Sequence, residues 1–207
     1  MENKEALVTL RGFELERVHL LISRVISSKD QFTSEHSLEV SSIAKAIGLY
    51  LGFSSEHLEK LELAGLLHDL GKLILPQKIL NKTGKLTAQE FEIIKMHPFY
   101  TYKTLIQVKG MEEIARWAGY HHERLDGSGY PFHLTAKDLE IESRIIQVAD
   151  VLAALLENRV YRRAFNFREV YQILNEEISK GKLDGQVVEA ALKVIFPQEQ
   201  KLSLCWG

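Results

Sequence analysis

Residues 54–72 read SSEHLEKLELAGLLHDLGK. Leu58, Leu61, Ala64 and Leu67 recur every third residue, which places them on one face of a helix opened by Ser54 and Ser55. That apolar face runs into His68 and Asp69, two metal-ligand types side by side. Burying both is costly unless something neutralises them, and a metal ion would do so. Alone, the pair reads as a hydrogen-bonded His–Asp at a helix end. Lys72 follows four residues after His68 and shares its face if the helix continues, an arrangement that suits an anionic oxygen ligand. Gly71 inside the segment marks either a helix nearing its end or a close approach by another backbone or a ligand.

Outward from this stretch, helical spacing dominates. Val40, Ile43, Ala44, Ile47 and Leu51 form a preceding helix with Thr33 as its N-cap. Thr87 and Glu90 form a capping box for a helix that should weaken at His97-Pro98. Another helix is expected from about Lys103 to Tyr120. Thr135 and Asp138 signal the start of a helix carrying Ile141, Ile145, Val148, Ala149 and Leu152, and two more helices lie near 167–180 and 184–195. Strand alternation is scarce, and the Asp126-Gly127 and Asp184-Gly185 pairs fall between helices. The fold class is therefore all-α. One domain spans 31–207, preceded by a helical extension over 1–30 with Leu15, Val18, Leu21, Ile22 and Val25 at helical spacing. There is no repeat or linker.

Composition narrows the function. A chain of 207 residues holds one domain with a real core. A net charge of -2 gives no basic field for long nucleic acid. The single cysteine, Cys205, excludes an intrachain disulfide or a multi-thiolate zinc site. No apolar run has membrane-spanning length, and the N-terminus lacks a signal-peptide core, so a cytoplasmic protein without a membrane partner is expected.

Eight histidines are the oddity. His19, His57 and His133 read as ordinary packed or surface residues. The segment HHERLDGSGYP at 121–131 joins His121 and His122 to a chain bend that lets both reach one centre. Gly127 and Gly129 there permit positive φ or a substrate's approach to the backbone, and Pro131 stiffens the exit. Asp150 sits in the apolar helix segment QVADVL and needs a partner if buried. His36 and His97 lie at helix ends, where a solvated terminus is the ordinary reading. Together the candidate set is His36, His68, Asp69, His97, His121, His122 and Asp150. Five imidazoles and two carboxylates exceed one ion's needs, and two ions bridged by one carboxylate account for the count. Imidazole and carboxylate without thiolate suit iron, manganese or zinc. Paired metals favour in-line phosphoryl displacement.

At HDLGK (68–72) and HHERLDGSGYP (121–131) the sequence resembles the HD-GYP family of HD-domain metal-dependent phosphohydrolases. The likeness spans roughly 30–195 and includes EHS around His36, MHP around His97, VAD around Asp150 and NRVYR at 158–162. It implies a helical HD-domain bundle and a cyclic di-GMP phosphodiesterase of bacterial signalling, yielding linear pGpG and in some members GMP. By this resemblance His36, His68, Asp69 and Asp150 hold one divalent metal, and Asp69 bridges to a second held by His97, His121 and His122. A hydroxide between the two attacks phosphorus. Lys72 holds a phosphate oxygen and offsets transition-state charge, Arg162 grips phosphate, and Asp126, Gly127, Gly129 and Tyr130 line the guanine side.

Four positions depart from the family's pattern. Phe32 stands where some members carry a glutamate for a third metal, so two metals are expected. Glu39 replaces a usual arginine, Thr101 a usual glycine and Ala153 a second aspartate that is not a ligand. With no sensor domain in this length, regulation is expected from a protein partner, homodimerisation or ligand supply. Two alternatives remain: another cyclic dinucleotide or nucleotide as substrate, and a non-catalytic module that binds cyclic di-GMP or docks on a protein.

Overall fold

The computed structural model describes residues 33–158 and 163–199. Among them lie nine α-helices and one 3₁₀ helix, with no strand beyond an isolated bridge between Asp126 and Thr135. The all-α expectation holds. The proposed extension over 1–30, Phe32, Arg162 and Cys205 fall outside the described residues.

The core is built by α1 (Thr33–Tyr50), α2 (Ser55–Leu67) and α7 (Ile141–Leu156), which pack on one another. Val40, Ala44 and Ile47 of α1, Leu61 and Ala64 of α2, and Ile145, Val148, Ala149 and Leu152 of α7 are buried where their spacing predicts. Gly65 lets α1 and α2 approach closely, since a Cβ there would lie 2.9 Å from Ser41 Cα. Leu51, read into the first helix, falls just beyond it, where the chain turns at Gly52 (φ +83°). Thr33, read as a cap, is itself helical. Ser54 caps α2 through the His57 N–H.

After α2 the chain does not continue as an α-helix. His68 ends it, and Leu70–Ile74 tighten into the 3₁₀ helix. Lys72 therefore pairs with Asp69 instead of sharing an α-helical face with His68. The short α3 (Gln77–Leu80) leads to α4 (Ala88–Ile94), which starts at the expected Thr87–Glu90 capping box. The chain breaks before His97, and α5 (His97–Leu105) begins there with Pro98 in its first turn, where a missing N–H costs nothing.

Two expectations about element limits are corrected. The single helix expected over 103–120 is two: α5 ends at Leu105 and α6 spans Glu112–Gly119. Gly110 between them takes φ +88°, a conformation an α-helix cannot carry. The signal at Thr135 and Asp138 forms a turn, not a helix start. Asp138 accepts from the Thr135 N–H (3.0 Å) and hydroxyl (2.8 Å), and α7 begins only at Ile141. The last two helices, α8 (Phe167–Ser179) and α9 (Gly185–Ile195), lie where expected. They are capped by Asn166 with Glu169 and by Asp184. No helix among the described residues is long and apolar enough to cross a membrane.

Candidate metal centre

Helix ends deliver the histidines. His68 closes α2, His97 opens α5 after the break that follows α4, and His121 lies just past α6. Each has its Nδ1 against the carbonyl three residues earlier: His68 on Gly65 (2.7 Å), His97 on Ile94 (2.8 Å) and His121 on Ala118 (2.6 Å). A carbonyl only accepts, so Nδ1 carries the proton and each Nε2 is left with a lone pair. Carbonyls in the last turn of a helix lack intrahelical partners, so these contacts satisfy them while fixing the rings.

The Nε2 atoms converge on two carboxylates. Asp69 Oδ1 lies 3.1 Å from His97 Nε2, and its Oδ2 lies 3.4 Å from His68 Nε2 and 2.7 Å from Lys72 Nζ. Asp150 Oδ1 lies 3.0 Å from His36 Nε2 and 3.9 Å from His68 Nε2, and its Oδ2 lies 3.8 Å from His122 Nδ1. Two groups of three have ligand atoms within 4.8 Å of one another: His36, His68 and Asp69, and His97, His121 and His122. All seven residues singled out as candidate ligands are thus brought together.

The donor set fits a cation. His97 Nε2 and His121 Nε2 face each other at 3.2 Å, and with both Nδ1 atoms protonated this sets two lone pairs together. His36 Nδ1 is buried with no hydrogen-bond partner. Burial, reinforced by His122, holds His121 well below the usual imidazole range. Burial also pushes His122 down to about 3, against the pull of Asp150. Both rings are then neutral near pH 7, the form that ligates metal. Burial alone would raise the Asp69 carboxyl, but Lys72 and His68 outweigh it and hold the group well below its usual range. The hydrogen bond with His36 leads the effects that hold Asp150 down against its burial. Negative carboxylates beside the neutral His121 and His122 rings make a site of the hard and borderline kind that iron, manganese or zinc takes.

Supporting contacts came from residues whose sequence context gave little sign of them. Thr101, fully buried one turn after His97, donates to the His68 carbonyl (2.9 Å) and accepts from the Gly71 N–H (2.9 Å). It ties the His-Asp segment to α5, and a Cβ on Gly71 would strike the His97 carbonyl there. The close approach inferred at Gly71 is therefore by backbone. Glu123, also fully buried, accepts from the Phe132 N–H (2.7 Å) and the Leu134 N–H (2.9 Å), pinning the far end of the 121–131 segment.

Within that segment, Gly127 has φ +78° and Asp126, exposed, accepts from the Ser128 N–H (2.9 Å), so both shape the turn. Gly129 lies against the backbone of Glu123 and Arg124 with no room for a Cβ. The Tyr130 ring packs on His122 at 4.8 Å between centroids, tilted 37°. Burial and the Asp150 carboxylate raise its hydroxyl pKa, so it stays a neutral donor. His57 and His133 lie apart from the cluster in role: His57 pairs with Glu142 (2.6 Å), and His133 is a loop residue at φ 56°.

Comparison with known proteins agrees with this geometry. Residues 20–187 match the HD domain family. A 3'3'-cGAMP-specific phosphodiesterase of Vibrio cholerae is 41% identical over 180 residues, which is 87% of this chain and 42% of that protein. The cyclic di-GMP phosphodiesterase response regulator RpfG of Xanthomonas campestris is 37% identical over 175 residues, 83% of this chain and 46% of its own length. The chain thus spans less than half the length of either relative. Among solved structures, the HD domain of the L. monocytogenes phosphodiesterase PgpH, in complex with cyclic-di-AMP, has the same fold at TM-score 0.63. That likeness covers 88% of this chain and 96% of PgpH's at 18% identity. With the matched span, the His-Asp pair at 68–69 and Gly129-Tyr130-Pro131, the chain belongs to the HD-domain family, on its HD-GYP branch.

Proposed function

We propose that this chain is a metal-dependent phosphodiesterase that opens a cyclic dinucleotide, cyclic di-GMP first among them, to the linear form pGpG. The observation that carries the reading is the position of Asp69 between the two histidine groups, one oxygen toward His97 and the other toward His68. Residues His36, His68, Asp69 and Asp150 would hold one divalent ion, and Asp69, His97, His121 and His122 a second. When bound, such ions lower the pKa of a water and neutralise charge on phosphoryl oxygens.

The chain's own residues do the rest. The Nδ1–H bonds of His68, His97 and His121 keep the rings in the ligating tautomer. Lys72, beside Asp69 at 2.7 Å, supplies an ammonium for a non-bridging phosphate oxygen and for transition-state charge. The Tyr130 ring, resting on His122, offers a face to a nucleobase and a hydroxyl to its edge. Arg162 is a further phosphate contact in this reading. Asp126, Gly127 and Gly129 serve the substrate wall by setting the turn that presents Tyr130.

A second substrate is favoured by one finding: the Vibrio cholerae relative at 41% identity is named for 3'3'-cGAMP. Metal-loaded protein is therefore given cyclic di-GMP and 3'3'-cGAMP separately, and products are resolved by chromatography. Linear dinucleotide from cyclic di-GMP at the higher kcat/KM supports the main reading, and a preference for 3'3'-cGAMP replaces it with the second. Tight binding of either without product would make the chain a cyclic-dinucleotide-binding module.

A further inference from the structure

Outside the ligand cluster, one cation is held on the wall that leads away from it. Lys95 Nζ lies 5.6 Å from the centroid of the Tyr130 ring and 5.3 Å from that of Phe91. Tyr130 in turn packs on His122. His122, Tyr130, Lys95 and Phe91 thus form a continuous run from the buried cluster to the exposed ring of Phe91. Lys95 caps the end of α4, two residues before His97, so the capping box at Thr87 and the break before Pro98 set its position. Its ion partner is Glu92 at 2.6 Å, a residue 67% exposed. An exposed pair of this kind is worth little, so an anionic ligand can take the ammonium from it.

We propose that Lys95, held against the rings of Phe91 and Tyr130, is a substrate-binding residue that takes the phosphate of the cyclic dinucleotide farther from the histidine cluster. A cyclic dinucleotide has two phosphates. Reaction at the cluster engages one and leaves the second anion along the same wall. A lysine ammonium suits it as a point charge, and neighbouring aromatic faces suit the bases beside it. This inference rests on the phosphodiesterase reading and deepens it by assigning the second half of the substrate.

The test compares two substrates on metal-loaded protein: cyclic di-GMP, and bis(p-nitrophenyl) phosphate, which has a scissile diester but no second phosphate. Lys95→Met keeps most of the stem against the rings and removes the charge. It is expected to raise KM for cyclic di-GMP about tenfold, the loss of one charge-assisted contact, with kcat little changed. Turnover of the small diester should be unchanged, and Lys95→Arg should recover most of the KM. Glu92→Gln, which frees the ammonium, should lower KM for cyclic di-GMP. An unchanged KM in Lys95→Met, or equal losses on both substrates, overturns the role of Lys95 while leaving the phosphodiesterase reading intact. A wild-type protein inert on both substrates and on 3'3'-cGAMP overturns the phosphodiesterase reading, and the assignment of Lys95 with it.

Discussion

Thr101 shows how the centre is held at the scale of single residues. Its hydroxyl uses both donor and acceptor capacity, on His68 and Gly71. Thr101→Val keeps the shape and leaves a buried N–H and carbonyl unpaired, so stability should fall by about 1–3 kcal/mol in urea unfolding. Lys72 makes a contrasting case. Lys72→Met should lower kcat on cyclic di-GMP by about 10²–10³, the size expected when a charge-stabilising group is lost, with bound metal per chain retained. Loss of metal in that variant would show that Lys72 serves by holding Asp69 instead. His68, Asp69 and Asp150 stood out in the sequence because imidazole and carboxylate in apolar company are conspicuous, and His121 and His122 because they adjoin a bend. His36 and His97, at helix ends, joined them only as part of the whole set and through the family resemblance. Thr101 and Glu123 were not, because their partners are backbone atoms: the His68 carbonyl and the N–H groups of Phe132 and Leu134. Backbone groups leave no residue-type pattern to read.

Among elements, the segment from His121 to Pro131 depends on Glu123. Its two oxygens take one backbone N–H each. In Glu123→Gln one of those N–H groups meets an amide that cannot accept. Stability should fall by about 1–3 kcal/mol in a denaturant titration, and KM for cyclic di-GMP should rise as Tyr130 loses its fixed place. Unchanged stability would mean that the segment holds its shape without the carboxylate. Elements also mark where sequence reading stopped. Apolar spacing runs through 103–120 without interruption, and only the backbone at Gly110 splits it. The Thr135–Asp138 chemistry is the same at a helix start and in an isolated turn, so it located the contact but not the element. Amphipathic spacing in α1, α2 and α7 was decisive because those helices bury their faces against one another.

On the scale of the whole molecule, helix ends from separate parts of the chain meet at one cluster, so ligand binding and folding are coupled. Opposed histidine lone pairs and buried carboxylates repel one another when nothing lies between them, and ions bound there stabilise the folded state by mass action. Treatment with chelator should therefore lower Tm, by the equivalent of about 2.7 kcal/mol where free metal had stood at a hundred times its Kd. Calorimetry with and without added manganese(II) measures the difference, and an identical Tm would uncouple the cluster from metal. Packing of α1, α2 and α7 brings His36, the His68–Asp69 end of α2 and Asp150 together, and α5 and α6, packed on each other, bring His97, His121 and His122 to the same place. The sequence shows the ligand types but carries no distance between them.

Metal content per chain tests the two-ion centre most directly. Protein purified without chelator and loaded with iron(II) or manganese(II) is analysed by elemental mass spectrometry, beside Asp69→Ala. About two ions per chain in the wild type, falling in the variant together with cyclic di-GMP turnover, is the result predicted for a carboxylate shared by both ions. No bound metal under either loading condition would contradict the account, and the histidine cluster would then be a packed polar core without that chemistry.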